Sequence, residues 1–306
     1  MQAILMSLVD GIREDLGNPV RFRRLLADAP EMRVALDTLP MCIAASSVPE
    51  WHELGAYSSM EFVHRKRGEL LGWRDVGGHW ESFFLERPEY AQIGRQETTE
   101  GWSVDLTAID GFSASKSDLN AFTSTDQMVE SNSREMIREI TSEGLARNLA
   151  HREIRIIHKP GTSDHFARYL WDGRLWLHNG GGSHHTAAAK YIASRLGQPV
   201  TLTGELRTYS LNELAIAALR RDFEMFVINE DDPSNAIAFF SAMQTFKATW
   251  LWHTLPRPYT KGLKAILLPR CEGRSMRVAA ELRKAGFADL GAHLAGLAAR
   301  QGKVMG

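Results

Sequence analysis

Hydrophobic and polar positions change period along the chain, and the changes mark its elements. Leu175 and Leu177 alternate with Trp176 and His178, the period-two pattern of a strand. Gly180, Gly181 and Gly182 interrupt it. Residues 187–196 then read as an alanine-rich helix with Gly197 just past its end. This strand, glycine turn and helix, residues 174–196, is the stretch around which the rest is ordered. Upstream, residues 166–171 read as a strand that Asp172-Gly173 joins to residues 174–177 as a hairpin. Residues 153–157, EIRII, alternate like a further strand before Lys159-Pro160-Gly161, and residues 199–206 supply another after the helix.

The flanks obey the same logic. Asn18 and Pro19 open a helix carrying Phe22, Leu25 and Leu26, and Pro40 ends the segment after it. Residues 41–45 are a short apolar run, strand or buried turn. Trp51, Trp73, Trp80, Phe83 and Phe84 come at irregular spacing and read as core aromatics under long loops. His64, Arg65, Lys66 and Arg67 read as a solvated basic face. Residues 102–109 alternate like a half-buried strand, and a polar stretch, residues 113–125, comes next. Asn132 and Glu135 have capping-box spacing for a helix with Met136, Ile137, Ile140 and Leu149 on one stripe. Ser210 and Glu213 repeat that spacing for a helix through Leu219. Residues 223–228 read as a strand. Asp232 as N-cap and Pro233 at the first helical position open a long helix, striped by Ala236, Phe239, Phe240, Met243, Phe246 and Trp250. Residues 264–268 suggest a strand, and residues 276–285 and 288–300 suggest two helices with Gly286 between them. The pattern is that of an α/β chain in three regions, 1–100, 101–210 and 211–306.

Composition narrows the class. With 306 residues and a formal net charge of −1, the whole chain is no obvious polyanion binder. Cys42 and Cys271 form neither a metal spacing nor a disulfide framework, which fits a reducing cytoplasm. The start of the chain lacks a basic region before its short apolar run, and no apolar run is long enough for a bilayer. A cytoplasmic protein with no membrane partner is expected.

Candidate chemistry gathers at the glycine turn. Glycines let a backbone approach a ligand, and a helix amino end offers free N–H groups to an anion. Asn179, Gly180, Gly181, Gly182, Ser183, His184, His185 and Thr186 are the candidate phosphate- or nucleotide-binding residues. A charged imidazole at His184 or His185 predicts phosphate affinity that falls as pH rises through about 6–7. His178, His184 and His185 lack a carboxylate or cysteine partner at ligand spacing, so no metal centre is expected there. Glu230, Asp231 and Asp232 read either as Mg²⁺ ligands beside a bound phosphate or as the acidic start of a helix. Asp164-His165 reads as a carboxylate orienting an imidazole or as a surface loop. The segment after Pro256 is basic, with Arg257, Lys261, Lys264, Arg270, Arg274, Arg277, Arg283, Lys284, Arg300 and Lys303 against Glu272, Glu281 and Asp289. Its two helices read as an ordinary bundle or, less favoured, as a DNA-binding helix-turn-helix.

The element order over residues 132–206 resembles the ParB/sulfiredoxin-like superfamily. In that superfamily a strand ends in a G-x-H/R-R turn and an alanine-rich helix comes after it. The turn here is Gly182-Ser183-His184-His185, continued by Thr186-Ala187-Ala188-Ala189-Lys190. The resemblance implies a small mixed sheet, set in a mostly helical frame, with a phosphate-binding turn. Ser183 stands where sulfiredoxins carry a catalytic cysteine, which removes sulfinic acid reduction. Ser183, His184 and His185 stand where ParB proteins carry a glutamate and two arginines. Free-serine kinases of the superfamily also use an arginine there. DNA modification-linked members have G-Q-H-R, of which His184 matches the histidine. The expected function is a nucleotide- or phosphate-binding protein, with phosphotransfer or nucleotide hydrolysis as its chemistry and Mg²⁺ as a companion ion. The alternatives are a DNA- or protein-binding accessory factor, and a ParB-like nuclease if acidic residues gather at the turn.

Overall fold

The computed structural model describes residues 2–36, 41–55, 66–260 and 262–301. Pro40, His64, Arg65, Lys261 and Lys303 lie outside them. The fold is mixed α/β with two five-stranded sheets. The chain divides into two compact units. One joins Met1–Asp37, Glu50–Gly94 and Leu211–Ala299; the other joins Thr38–Pro49, Arg95–Ser210 and Arg300–Gly306. No helix among the described residues is long and apolar enough to cross a membrane.

The first unit starts with helices α1 (Gln2–Asp15) and α2 (Val20–Asp28). Strands β1 (Glu69–Val76) and β2 (His79–Glu86) come next, then a single turn, α3 (Pro88–Ala91). Four of the aromatics expected under loops, Trp73, Trp80, Phe83 and Phe84, are in this hairpin, with Trp73 opposite Ser82 and Leu71 opposite Phe84. Their irregular spacing hid two strands, because aromatics occur on both faces of a hairpin whose outer strand is largely exposed. The chain leaves this unit after β1 and β2 and returns to it at Leu211.

The second unit holds β3 (Gly94–Asp105), β4 (Gly111–Phe112), α4 (Thr125–Asn132), α5 (Ser142–Leu149) and α6 (Arg155–His158). It continues with β5 (His165–Tyr169), β6 (Leu175–His178), α7 (Ser183–Leu196) and β7 (Thr201–Leu211). Its sheet order is β3-β7-β5-β6-β4. β5 and β6 are the expected hairpin, antiparallel with Phe166 opposite Leu177, while β5 pairs β7 in parallel. Asp172 fixes the turn: it takes the Arg174 guanidinium and also the Trp176 indole N–H at 3.1 Å. α7 covers the sheet with Ala187, Ala188, Ala189, Ile192 and Ala193, packed into one core with Leu145, Phe166, Leu177 and Leu206. Alanines bring the α7 backbone close to the sheet, and each fully buried Phe or Leu contributes about 1.5–3 kcal/mol.

Three local expectations fail here. Residues 153–157 are not a strand: Ile154 is buried, Arg155–His158 make one helical turn, and Ile156 packs over Gly204 of β7. The Asn132–Glu135 capping box does not form. Ser124 caps α4 instead, Thr141 caps α5, and Arg134–Ile137 is a 3₁₀ turn between them. The expected strand at residues 102–109 ends at Asp105, whose carboxylate caps a 3₁₀ turn, Leu106–Ala108.

The first unit then resumes with α8 (Glu213–Asp222), β8 (Phe223–Asn229), α9 (Pro233–Phe246), β9 (Trp250–Thr254), β10 (Leu263–Pro269), α10 (Gly273–Lys284) and α11 (Leu290–Gln301). Its sheet, β2-β1-β9-β10-β8, is antiparallel at each pairing. Asn212, not Ser210, caps α8. Asp232 caps α9 as its Asp-Pro start implies. Lys247, with φ 54°, ends that helix, so Trp250 belongs to β9 and not to the helical stripe. Glu230, just after β8, is partly buried, and burial pushes its carboxyl up to about 7 against the opposing pull of Lys264. A folded-state pKa above the unfolded value of about 4.3 means the native chain holds the proton longer, so stability falls as pH rises from about 4.5 to 7. Glu230→Gln is expected to remove that slope and to raise stability at pH 8 by about 1–3 kcal/mol. Chemical denaturation of both chains at pH 4.5 and 8 checks it, and parallel pH dependences would refute it.

Candidate functional site

The glycine turn leaves β6 at His178 and is held from below by Asn179. That side chain is buried. Its oxygen accepts from the Ser113 and Ala114 amides at 3.2 and 3.3 Å, and its nitrogen donates to the Ala114 and Gly181 carbonyls, both at 2.9 Å. Asn179 therefore ties the turn to the serine-rich loop and has no amide group left over for a ligand. Asp164, also buried, accepts from the Gly180 amide at 3.0 Å. It does not orient His165, whose ring instead meets the Ser163 carbonyl.

Gly182 is the N-cap of α7, with φ 74°, and offers no capping side chain. The first-turn amides of Ser183, His184 and His185 have no acceptor within the chain among the described residues. They are the free donors of the helix amino end, backed by its dipole. Thr186 turns inward, its hydroxyl donating to the Gly182 carbonyl at 2.9 Å, so it is a fold residue. Ser183 is buried and donates to Ser115 Oγ at 2.9 Å.

Above these amides lies a cleft of about 590 Å³. Lys116, Arg155, Glu135 and Glu153 supply its charged side chains, with His151, His184 and His185 beside them. The Arg155 guanidinium rests against Gly180, in the space a β-carbon there would take. It has no hydrogen bond or ion pair within the chain among the described residues, nor has the Lys116 ammonium. Arg155 reaches this place because residues 155–158 form a helical turn and not a strand. An arginine thus reaches the glycine turn from a neighbouring segment, which nothing in the local motif signals.

His184 and His185 differ. His184 Nδ1 is 2.6 Å from Ser133 Oγ and its Nε2 is 3.1 Å from Ser117 Oγ. With both nitrogens engaged it ties α7 to the segment after α4. His185 uses only Nδ1, 3.1 Å from Asn148 Oδ1, and stacks on His151 with ring centroids 3.7 Å apart. Burial, then Lys116, holds His184 below the ordinary histidine range, against Glu135. Burial, then His151, lowers His185 likewise, against Glu153. Both shifts favour the neutral ring, so the permanent positive charge lining the cleft comes from Arg155 and Lys116. An affinity loss carried by a charged imidazole would accordingly lie at lower pH than for an ordinary histidine.

Other sequence candidates lie elsewhere. His178 stacks on His165 at 4.8 Å in the sheet, away from the pair in the turn, and burial lowers it to about 4. Among the described residues no group of three or more His, Cys, Asp or Glu could hold a metal ion. Glu230, Asp231 and Asp232 do not line the cleft; Asp232 caps α9 and Asp231 takes the Thr260 hydroxyl. In the basic C-terminal region, Arg274 and Arg277 bond carbonyls at the end of α1 and beyond it, and Arg270 and Arg283 bracket Glu224. These charges serve the fold.

A family described as a family of unknown function, DUF6685, matches residues 99–306. No curated protein and no solved structure matches the chain.

Proposed function

The chain belongs to the DUF6685 family, and we propose that its cleft binds a phosphorylated small molecule, with the phosphate at the amino end of α7. The observation that carries the reading is the Arg155 guanidinium, free of carboxylate partners among the described residues, resting on Gly180 beside the uncapped amides of Ser183, His184 and His185. A guanidinium fork and convergent backbone N–H groups are complementary to phosphate oxygens. Lys116 adds a second cation, while Glu135 and Glu153 balance the formal charge of the lining. A single phosphate fits that balance better than a triphosphate chain, so a nucleoside monophosphate is a better probe than ATP. The sequence of β6, glycine turn, α7 and β7 supports reading this unit as a ParB/sulfiredoxin-like core with a displaced arginine.

Gly181 provides the test. A β-carbon added there would meet Glu153 no closer than 3.7 Å, so a side chain projects toward the cleft without forcing the backbone. Titration calorimetry with inorganic phosphate, AMP and ATP, with and without Mg²⁺, is expected to show binding by the native chain and at least a tenfold loss (about 1.4 kcal/mol) in Gly181→Val. With neutral imidazoles, phosphate affinity is expected to hold or rise between pH 6.5 and 8, as the phosphate becomes a dianion. Absence of binding at millimolar ligand, or equal affinity of the variant, would refute the reading.

A further inference from the structure

The surroundings of His185 determine which of its nitrogens carries the proton. Asn148 lies in α5 and is buried. Its amide nitrogen donates to the Met136 and Gly144 carbonyls, both at 3.0 Å. That orientation turns Oδ1, an acceptor only, toward His185 Nδ1 at 3.1 Å. Nδ1 must therefore donate, and in the neutral ring the lone pair sits on Nε2. Nε2 points to the other side of the ring and has no hydrogen-bond partner among the described residues. His151 covers one ring face, at an interplanar angle of 14°. The ring borders the same cleft as Arg155.

A histidine whose Nδ1–H is held by a buried oxygen, with Nε2 open to a ligand site, is arranged as a general base. We propose that the cleft hydrolyses phosphomonoesters, with His185 Nε2 as the general base and Asn148 as the positioning residue that sets its tautomer. The inference rests on the phosphate-binding reading above and adds a reaction to it. Nε2 takes a proton from a water molecule as the water oxygen bonds to phosphorus. The ester P–O bond breaks, its electron pair leaves with the alcohol oxygen, and that oxygen takes a proton from solvent. The imidazolium then returns its proton to bulk water. Arg155 and the turn amides hold the phosphoryl oxygens, where preorganised donors stabilise the developing charge. His184 cannot share the task, because two serines occupy its nitrogens.

The charged and titratable groups facing His185 are His151, Glu153, His184 and Lys116; all but Glu153 favour the neutral ring. A carboxylate in place of the Asn148 amide would favour the charged ring, so Asn148→Asp should move the acid limb of kcat/KM to higher pH. A purely structural Asn148 would lower activity without moving that limb.

The experiment uses the full chain and p-nitrophenyl phosphate, followed from pH 5 to 9 with calorimetry of inorganic phosphate on the same preparations. The native chain is expected to release p-nitrophenolate. His185→Ala should lose about 100-fold or more in kcat while still binding phosphate. Asn148→Ala should lose about tenfold, and Asn148→Asp should shift the acid limb upward. Phosphate binding by the native chain without ester hydrolysis, or full activity in His185→Ala, would overturn the proposal and leave the binding reading standing. Failure to bind phosphate would overturn both. If Asn148→Asp proves unstable in thermal melts, His151→Ala gives the same test, since removing the stacked ring should also raise the limb; an unmoved limb there would overturn the assignment of the limb to His185.

Discussion

Gly182→Ala is expected to destabilise the fold by about 2–4 kcal/mol, whereas Gly181→Ala next to it should change stability by less than about 0.5 kcal/mol. At Gly182 the backbone has φ 74°, a conformation in which a β-carbon is unfavourable. A β-carbon there would also lie 2.7 Å from the carbonyl carbon and oxygen of Glu153 and 2.8 Å from the Ile154 nitrogen. These are backbone atoms, so relief requires moving the segment that leads into α6. Gly181 has neither constraint. Thermal melts of the two variants should differ by about 5–15 °C. Similar melting temperatures would mean that the close approach of residues 153–154 to the turn is not a feature of the folded chain.

The glycine triplet shows how far local pattern reaches. Strand β6, the turn, α7 and its closing Gly197 are legible in period and composition, because a hairpin and an alanine-rich helix are set by near neighbours. The triplet itself reads as one feature, yet its members serve different ends. Gly182 admits the left-handed backbone, Gly180 leaves space for Arg155, and Gly181 faces the cleft. Such roles come from residues 25 or more positions away and leave no mark on the local sequence.

Other stretches escape local reading for the same reason. EIRII alternates like a strand, but strand preference depends on having a place in a sheet. In this sheet β5 is already paired on both sides, by β6 and β7, and Ile156 packs beside Phe166 over Gly204 of β7, against the core of the unit. Asn132 has the spacing of a cap, yet it is the last residue of α4, and its side chain donates to Ser117 at 2.7 Å, inside the network that holds His184. The paired histidines look equivalent in sequence. Their separation into an anchored ring and an open one depends on Ser117, Ser133 and Asn148, from a loop and two other segments.

Arg155→Ala is expected to weaken binding of inorganic phosphate by about 10–100-fold, the worth of a charge-assisted hydrogen bond or an ionic fork. The loss should appear without a fall in stability. Among the described residues the guanidinium makes no hydrogen bond or ion pair within the chain, and it is half-buried against Gly180. Arg155→Lys keeps the charge but replaces a planar fork by a point donor on a flexible stem, so it should retain part of the affinity. Lys116 is exposed on the loop opposite and should matter less, because solvent screens its charge more fully. The ordering native chain, Arg155→Lys, Arg155→Ala, measured by calorimetry at one ionic strength, distinguishes a specific fork from a diffuse positive surface. If Lys116→Ala cost more than Arg155→Ala, the phosphate would belong at the loop and not at the helix. If neither substitution changed affinity, the anion would be held by backbone amides alone, and Arg155 would have no part in recognition.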